Sequence, residues 1–389
     1  MAMQQNLPSL ISLISELIAL PSISCVDDQI DQSNQAVVET LATWCESLGF
    51  HCEIQTVDLK KKKYNLIATL GTGDNGLVLS GHTDTVPYDA AYWHHNPFRL
   101  TETDNRLYGL GTADMKAFFA FALHAASQFD KKDLKHPLIL LATCDEETGM
   151  AGAKALLTKT PRPRARHAII GEPTSLKPIR MHKGIFMESI RIIGQSGHSS
   201  NPNLGHNALE AMNQVISTLL QWRGELEKTY QHQAFIIPTP TLNFGHIHGG
   251  DNPNRICGEC ELHIDFRPLP DMPLTILRYT LHERVRHCLA DTAFKVEFTS
   301  LFDGIPAMET PAEAEIVRCV ERLTNYEAGS VAFGTEAPYL QELGMQPVIL
   351  GPGSIDQAHQ PDEFIDLSCM QPTVELLTQI IHHFCVAKQ

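Results

Sequence analysis

The chain has 389 residues, of which 43% are hydrophobic and 19% charged; that apolar content can bury a sizeable core and excludes a wholly disordered polypeptide. Thirty Lys and Arg against 45 Asp and Glu leave a net charge of −15, which argues against a nucleic-acid-binding protein, because such binding draws on basic residues to neutralise phosphates. At ~100–200 residues per domain the length allows two or three domains.

Residues 7–20 place Leu10, Leu13, Ile14 and Leu17 at helical spacing and include Glu16, which predicts an amphipathic helix. No Lys or Arg precedes Lys60, so this stretch lacks the basic flank of a signal peptide. No uninterrupted apolar run approaches the ~18 residues of a membrane span. The expectation is a cytoplasmic protein with no membrane contact. The lysine run 60–63, before a strand, predicts a solvated hairpin tip. From Tyr64 to Ile170 the runs NLIATL, LVLSGHTD, PLILLATC and ARHAIIGE read as strands buried on both faces, with MKAFFAFALHAASQF and AGAKALLT as helices between them. The alternation predicts an α/β domain with a mixed, mostly parallel sheet flanked by helices.

After Pro178 the pattern changes. KGIFMESIRIIGQ reads as a strand, HNALEAMNQVISTLLQW as a helix, PTLNFGHIHG and RICGECELHIDFRPL as strands, TILRYTLHERVRHCL as a helix and FKVEFTS as a strand. That order is the one of a ferredoxin-like α+β unit. PVILGPG follows as a late buried strand, and residues 370–384 as a closing helix. The expected organisation is a catalytic domain of residues 1–180 and 301–389, interrupted by an inserted domain of residues 181–300. Ten cysteines in so long a chain do not suggest a disulfide framework. Cys257 and Cys260, three apart on a strand, face opposite sides and make a weak metal or redox motif.

The chemistry lies at the strand ends. LVLSGHTDT delivers His82 and Asp84, GLGTADMK delivers Asp114, LILLATCDEETG delivers Glu146 and Glu147, HAIIGEPT delivers Glu172, and GPGSIDQAHQPDE delivers His359. Each has a plainer reading: Asp114 as a helix N-cap, Glu146 and Glu147 as an acidic first turn, any of the 19 histidines as structural. Their recurrence at successive strand ends, each beside Gly or Pro, favours a site, and His with carboxylate but no Cys suits a hydrolytic divalent metal.

In this order GHTDTV, GTADMK, DEETG, GEPT and HQPDE resemble the motifs of the dinuclear zinc amidohydrolases, over nearly the whole chain. The resemblance implies two Zn2+ per subunit, with Co2+ able to substitute: one metal on His82 and Glu172, the other on Glu147 and His359, with Asp114 bridging. It implies Asp84 accepting the second ring N–H of His82, and Glu146 as an unligated general base. It makes the inserted domain a lid and dimerisation domain, with His198 of QSGHSS serving the other subunit of a homodimer. It makes Arg267 of DFRPLP the grip for a substrate carboxylate, and adds Asn254, Gly334 and Thr335 to the substrate site. GHIHGGDNPNRIC, GTEAP and GPGSIDQAHQPDE resemble most the branch that hydrolyses a small-molecule substrate, N-acetyl-L-ornithine, to L-ornithine and acetate in arginine biosynthesis. The rivals are the same chemistry on a succinylated diamino acid, another N-acylamino acid or a dipeptide, and a metal-binding dimer without catalysis. Glu336 is a candidate for the ornithine ammonium, or a structural carboxylate.

Overall fold

The computed structural model describes residues 7–386. In chain order its main elements are α1 (Leu10–Ile18), α2 (Gln35–Ser47), β1 (His51–Asp58), β2 (Lys63–Leu70), β3 (Gly76–His82), α3 (Ala117–Ala126), β4 (Leu138–Thr143), α4 (Ala151–Thr158), β5 (Ala165–Pro173), β6 (Ile185–Ile193), α5 (Ala208–Thr229), β7 (Thr241–Gly249), β8 (Glu259–Arg267), α6 (Leu274–Cys288), β9 (Lys295–Ile305), α7 (Glu315–Thr324), β10 (Gln346–Gly351) and α8 (Met370–Ile381). The chain divides into two compact units, residues 1–180, 310–329 and 336–389 in the first and residues 181–309 and 330–335 in the second. The second unit runs past residue 300 because β9 continues to Ile305.

In the first unit six neighbouring strands of the main sheet lie in the order β1-β2-β4-β3-β5-β10. The pairs β4/β3, β3/β5 and β5/β10 are parallel, whereas β1/β2 and β2/β4 are antiparallel. Every residue of β3 and β4 is buried, as expected of strands covered on both faces. α3 explains much of that cover. Each of its residues except His124 is buried, a helix apolar all round and therefore internal, and it packs against α1 and α8. A Cβ at Gly171 would lie 2.1 Å from the Phe118 ring, so glycine is what lets the end of β5 approach α3. The lysine run divides. Lys60, Lys61 and Lys62 are exposed at the β1/β2 turn, but Lys63 is only 1% exposed and pairs with Asp31 and Asp145, each at 2.9 Å. As first residue of β2 it points inward, and two carboxylates offset the cost of burying its charge.

The second unit has a four-stranded antiparallel sheet in the order β7-β8-β6-β9. With α5 and α6 as crossovers this is the ferredoxin-like arrangement. Its core joins Ile190, Ile192, Leu262, Ile264 and Phe266 of the sheet to Met212, Val215, Leu219, Leu281 and Val285 of the helices. All ten cysteines are unpaired.

Candidate metal centre

Four parallel strands of the first unit end on one edge of the sheet, where ligands of such folds gather. β3 ends at His82, with Asp84 two residues on. The turn after β4 carries Glu146 and Glu147, with Asp145 at φ +56° bending the backbone between strand and turn. Glu172 is the penultimate residue of β5. The loop after β10 brings His359, itself at φ +61°. Asp114 arrives on the segment before α3.

Five of these side chains form one cluster. His82 Nε2 lies 3.0 Å from Asp114 Oδ1 and 4.0 Å from Glu172 Oε1, while His359 Nε2 lies 3.5 Å from Asp114 Oδ2 and 3.1 Å from Glu147 Oε2. The two oxygens of Asp114 thus face two different imidazoles. Ligating atoms of His82, Asp114 and Glu147 all lie within 4.8 Å of one another. Asp114 is not a helix cap: α3 starts after Lys116, with no side-chain cap hydrogen bond.

Asp84 acts differently from its expected role. The nearest acceptor for His82 Nδ1 is the main-chain carbonyl of Asp84 at 3.0 Å, with the carboxylate Oδ1 at 3.8 Å. Asp84 Oδ2 instead accepts the N–H of Glu147 at 3.1 Å. The turn from β3 puts its own carbonyl under the ring, and the carboxylate is left to fix the Glu147 backbone. Either acceptor holds the tautomer whose Nε2 lone pair faces the cluster.

The electrostatics are those of too many carboxylates in too little space. Burial, then the charge of Glu172, holds Glu146 well above the usual carboxylate range. Burial, then Asp114, raises both Glu147 and Glu172. Burial pulls His82 downward, but its hydrogen bond to Asp114 and the surrounding carboxylates lift it well above its ordinary value. The hydrogen bond to Glu147 raises His359 to about 9. Glu147 Oε1 and Asp84 Oδ1 are buried acceptors without hydrogen-bond partners, an arrangement that is costly unless a cation completes it. Oxygen and imidazole donors in this proportion fit divalent metal ions.

The remaining predicted residues lie in the second unit. His198 is exposed, with Nδ1 2.7 Å from Ser200 Oγ. Its strand-like neighbours meet the Asn254 loop, where Ser199 N–H donates to the Asn254 carbonyl at 3.1 Å and His198 bridges to Arg255. Arg267, at the end of β8, pairs Nε and Nη2 with the two oxygens of Asp265 at 2.8 and 3.0 Å. It lines a cavity of about 450 Å3 together with Lys183, Phe235, Ile236 and Phe333. Gly334 lies against Ile305, and Thr335 is buried.

Glu336 resolves toward structure. It is 1% exposed in the first unit and accepts hydrogen bonds from Ser80 Oγ and, at 2.7 Å, from Thr143 Oγ1. Its oxygens are therefore spent between β3 and β4. Two further residues escaped the sequence reading. Lys63 holds Asp145, the neighbour of Glu146; its only signal was position at the boundary of a charged run. Glu363 accepts three backbone N–H groups around Asp114; its signal was its place in HQPDE.

Residues 78–383 match the family described as Peptidase family M20/M25/M40, and the chain belongs to it: it is a hydrolase of that family. Among curated proteins, the acetylornithine deacetylase of Proteus mirabilis (strain HI4320) is 51% identical over 387 residues, covering 100% of both chains. The acetylornithine deacetylases of Erwinia tasmaniensis and Salmonella typhimurium (strain LT2) are 50% and 49% identical, covering 98% of this chain and 100% of theirs. Among solved structures, a tripeptidase from Staphylococcus aureus aligns with TM-score 0.75 at 19% identity over 96% of this chain and 97% of its own. A dinuclear metal binding peptidase of the M20 family from Bacillus subtilis aligns with TM-score 0.66 at 15% identity over 96% and 98%. At those identities the structural likenesses speak for the fold alone.

Proposed function

We propose that this chain hydrolyses N-acetyl-L-ornithine to L-ornithine and acetate. The observation that carries the reading is the likeness to acetylornithine deacetylases, about half the residues identical from end to end. The strand-end cluster supplies the chemistry that the likeness calls for. His82 and Glu172 would hold one divalent cation, Glu147 and His359 a second, and Asp114 both; we take the ions to be zinc, with cobalt able to replace it. When bound, such ions polarise the amide carbonyl and acidify a water molecule.

Glu146 is the group left to move protons. It takes one from the water as its oxygen attacks the acetyl carbon. It gives one to the α-nitrogen as the C–N bond breaks, so that acetate and a free amine depart. Burial raises the affinity of the Glu146 carboxyl for a proton, which favours its accepting one and handing it on. Arg267 would grip the α-carboxylate through the guanidinium edge that Asp265 does not occupy, a task for which a planar fork is fitted. Asn254, Gly334 and Thr335 would add to the substrate site.

His198 would steady the oxyanion in the site of a second subunit, in a cytoplasmic homodimer. Its exposure supports this, with Ser200 holding Nδ1 through both its hydroxyl and its N–H.

A turnover assay decides the substrate. With zinc supplied, release of free amine from N-acetyl-L-ornithine should exceed that from succinyl-diaminopimelate and N-acetyl-methionine by at least about tenfold in kcat/KM. Preference for either of the others would transfer the reading to that substrate, and no turnover of any would overturn it.

A further inference from the structure

We infer that Glu363 is a positioning residue for the metal centre: it fixes the turn that delivers Asp114 and, from within the same HQPDE segment as His359, sets the spacing between the two. The inference rests on the metal-centre reading above. Glu363 is 1% exposed. One oxygen of its side chain accepts the N–H groups of Ala113 at 2.7 Å and Asp114 at 2.9 Å, the other that of Gly111 at 3.0 Å, and its main-chain carbonyl accepts the N–H of Gly109 at 3.0 Å.

These donors need an acceptor. Residues 109–114 are buried and lie in no helix or strand, with Gly111 in the left-handed region at φ +89°. Buried N–H groups without partners are costly. A capping side chain takes N–H groups that follow it in the chain, so Asp114 could not supply their acceptor. A carboxylate from a distant segment does, and the backbone it fixes is the one from which the two oxygens of Asp114 face His82 and His359.

The same segment holds the other side of the centre. The His359 side chain is 54% exposed, so packing alone does little to place its ring. Its backbone, however, runs through a tight turn with His359 at φ +61° and Asp362 at φ +55°. That turn is pinned at Asp362, whose Oδ1 accepts the N–H groups of His94 and His95, both at 2.9 Å, and at Glu363 as described. The 3.5 Å approach of His359 Nε2 to Asp114 Oδ2 is thus set through a few covalent bonds and a few short hydrogen bonds.

A cycle on metal affinity tests this. Apo protein prepared by chelation is titrated with Zn2+ against a chromophoric chelator, as wild type, E363Q, D114N and the double variant; Co2+ absorption spectra report the coordination of each. E363Q should bind its weaker-held ion about 10–100-fold less tightly, as expected when a group orienting a ligand is removed, and should shift the Co2+ spectrum. In the D114N background E363Q should cost under about threefold, because its route to the metal is already gone. Equal losses in both backgrounds, or wild-type affinity in E363Q, would overturn the inference. If E363Q does not fold, E363D in the same cycle is read by the same criteria. Wild type that binds neither ion would instead overturn the metal-centre reading itself.

Discussion

The two units hold their candidate residues in different ways. In the first, His82, Asp114, Glu147 and Glu172 are buried side chains, with ligating atoms of the first three within 4.8 Å of one another and Glu172 Oε1 4.0 Å from His82 Nε2, each set by the end of a strand or by a turn that other buried groups fix. In the second, His198 and Asn254 lie on two exposed segments that meet, Arg267 lies on a separate cavity beside Asp265, and Gly334 and Thr335 lie on another segment. A buried cluster is arranged by the fold before any ligand arrives, whereas an exposed side chain takes its role from what it meets. The first unit should therefore yield all-or-none effects and the second effects that depend on substrate or partner.

The largest effect belongs to the base. Glu146→Ala should lower kcat by about 10²–10⁴, the usual worth of a positioned acid–base group, with metal content by atomic absorption unchanged. Loss of metal together with activity would make Glu146 a ligand and redraw the cluster.

Next comes His198→Ala, which should cost about 10²–10³ in kcat if an oxyanion donor is lost. The two variants together sharpen the contrast between the units. If His198 serves the neighbouring subunit, mixing the Glu146→Ala and His198→Ala proteins under verified subunit exchange makes half of the dimers hybrids with one intact centre, and about 25% of wild-type activity should return. Exchange with no recovery would return His198 to its own chain.

Arg267→Lys comes third. Loss of a charge-assisted fork is worth about 1.5–3 kcal/mol, so kcat/KM for N-acetyl-L-ornithine should fall roughly 10–100-fold. An N-acetyl diamine without the carboxylate should lose little. Equal losses on both substrates would place Arg267 outside the carboxylate contact.

The smallest effects are on stability, and each unit has its own probe. Burial lowers His167 of the first unit and His182 of the second to about 4, Arg166 and other neighbouring cations adding to the shift at His167. A depressed histidine is neutral in the folded state, so its contribution is complete above the unfolded value near 6.5 and is lost as pH falls from there toward about 4. Each should cost up to about 2 kcal/mol at pH 5. In urea unfolding, His167→Gln and His182→Gln should each reduce the stability difference between pH 7 and pH 5 relative to wild type. A difference unchanged by both would show that these rings do not stay neutral.

Much of this was legible in the amino-acid sequence because burial writes itself into composition. The apolar runs that became β3, β4, β5 and β10 can fill only a sheet covered on both faces, and a parallel sheet presents its strand ends, hence His82, Glu146, Glu147, Glu172 and His359, on one edge. The order of strands and helices after Pro178 likewise stated the ferredoxin-like topology of the second unit.

Contacts between segments far apart in sequence left no such trace. That Lys63 goes inward to Asp31 and Asp145 while Lys60, Lys61 and Lys62 stay in water, that a carbonyl rather than a carboxylate meets His82 Nδ1, that Glu336 bonds to β3 and β4, and that Glu363 takes the N–H groups of Ala113 and Asp114 were decided only on folding. Periodicity and composition record whether a side chain is buried, because that is a property of the element that carries it. Which polar group satisfies which is a property of pairs, and distant pairs are chosen by tertiary packing, where each buried donor must find an acceptor.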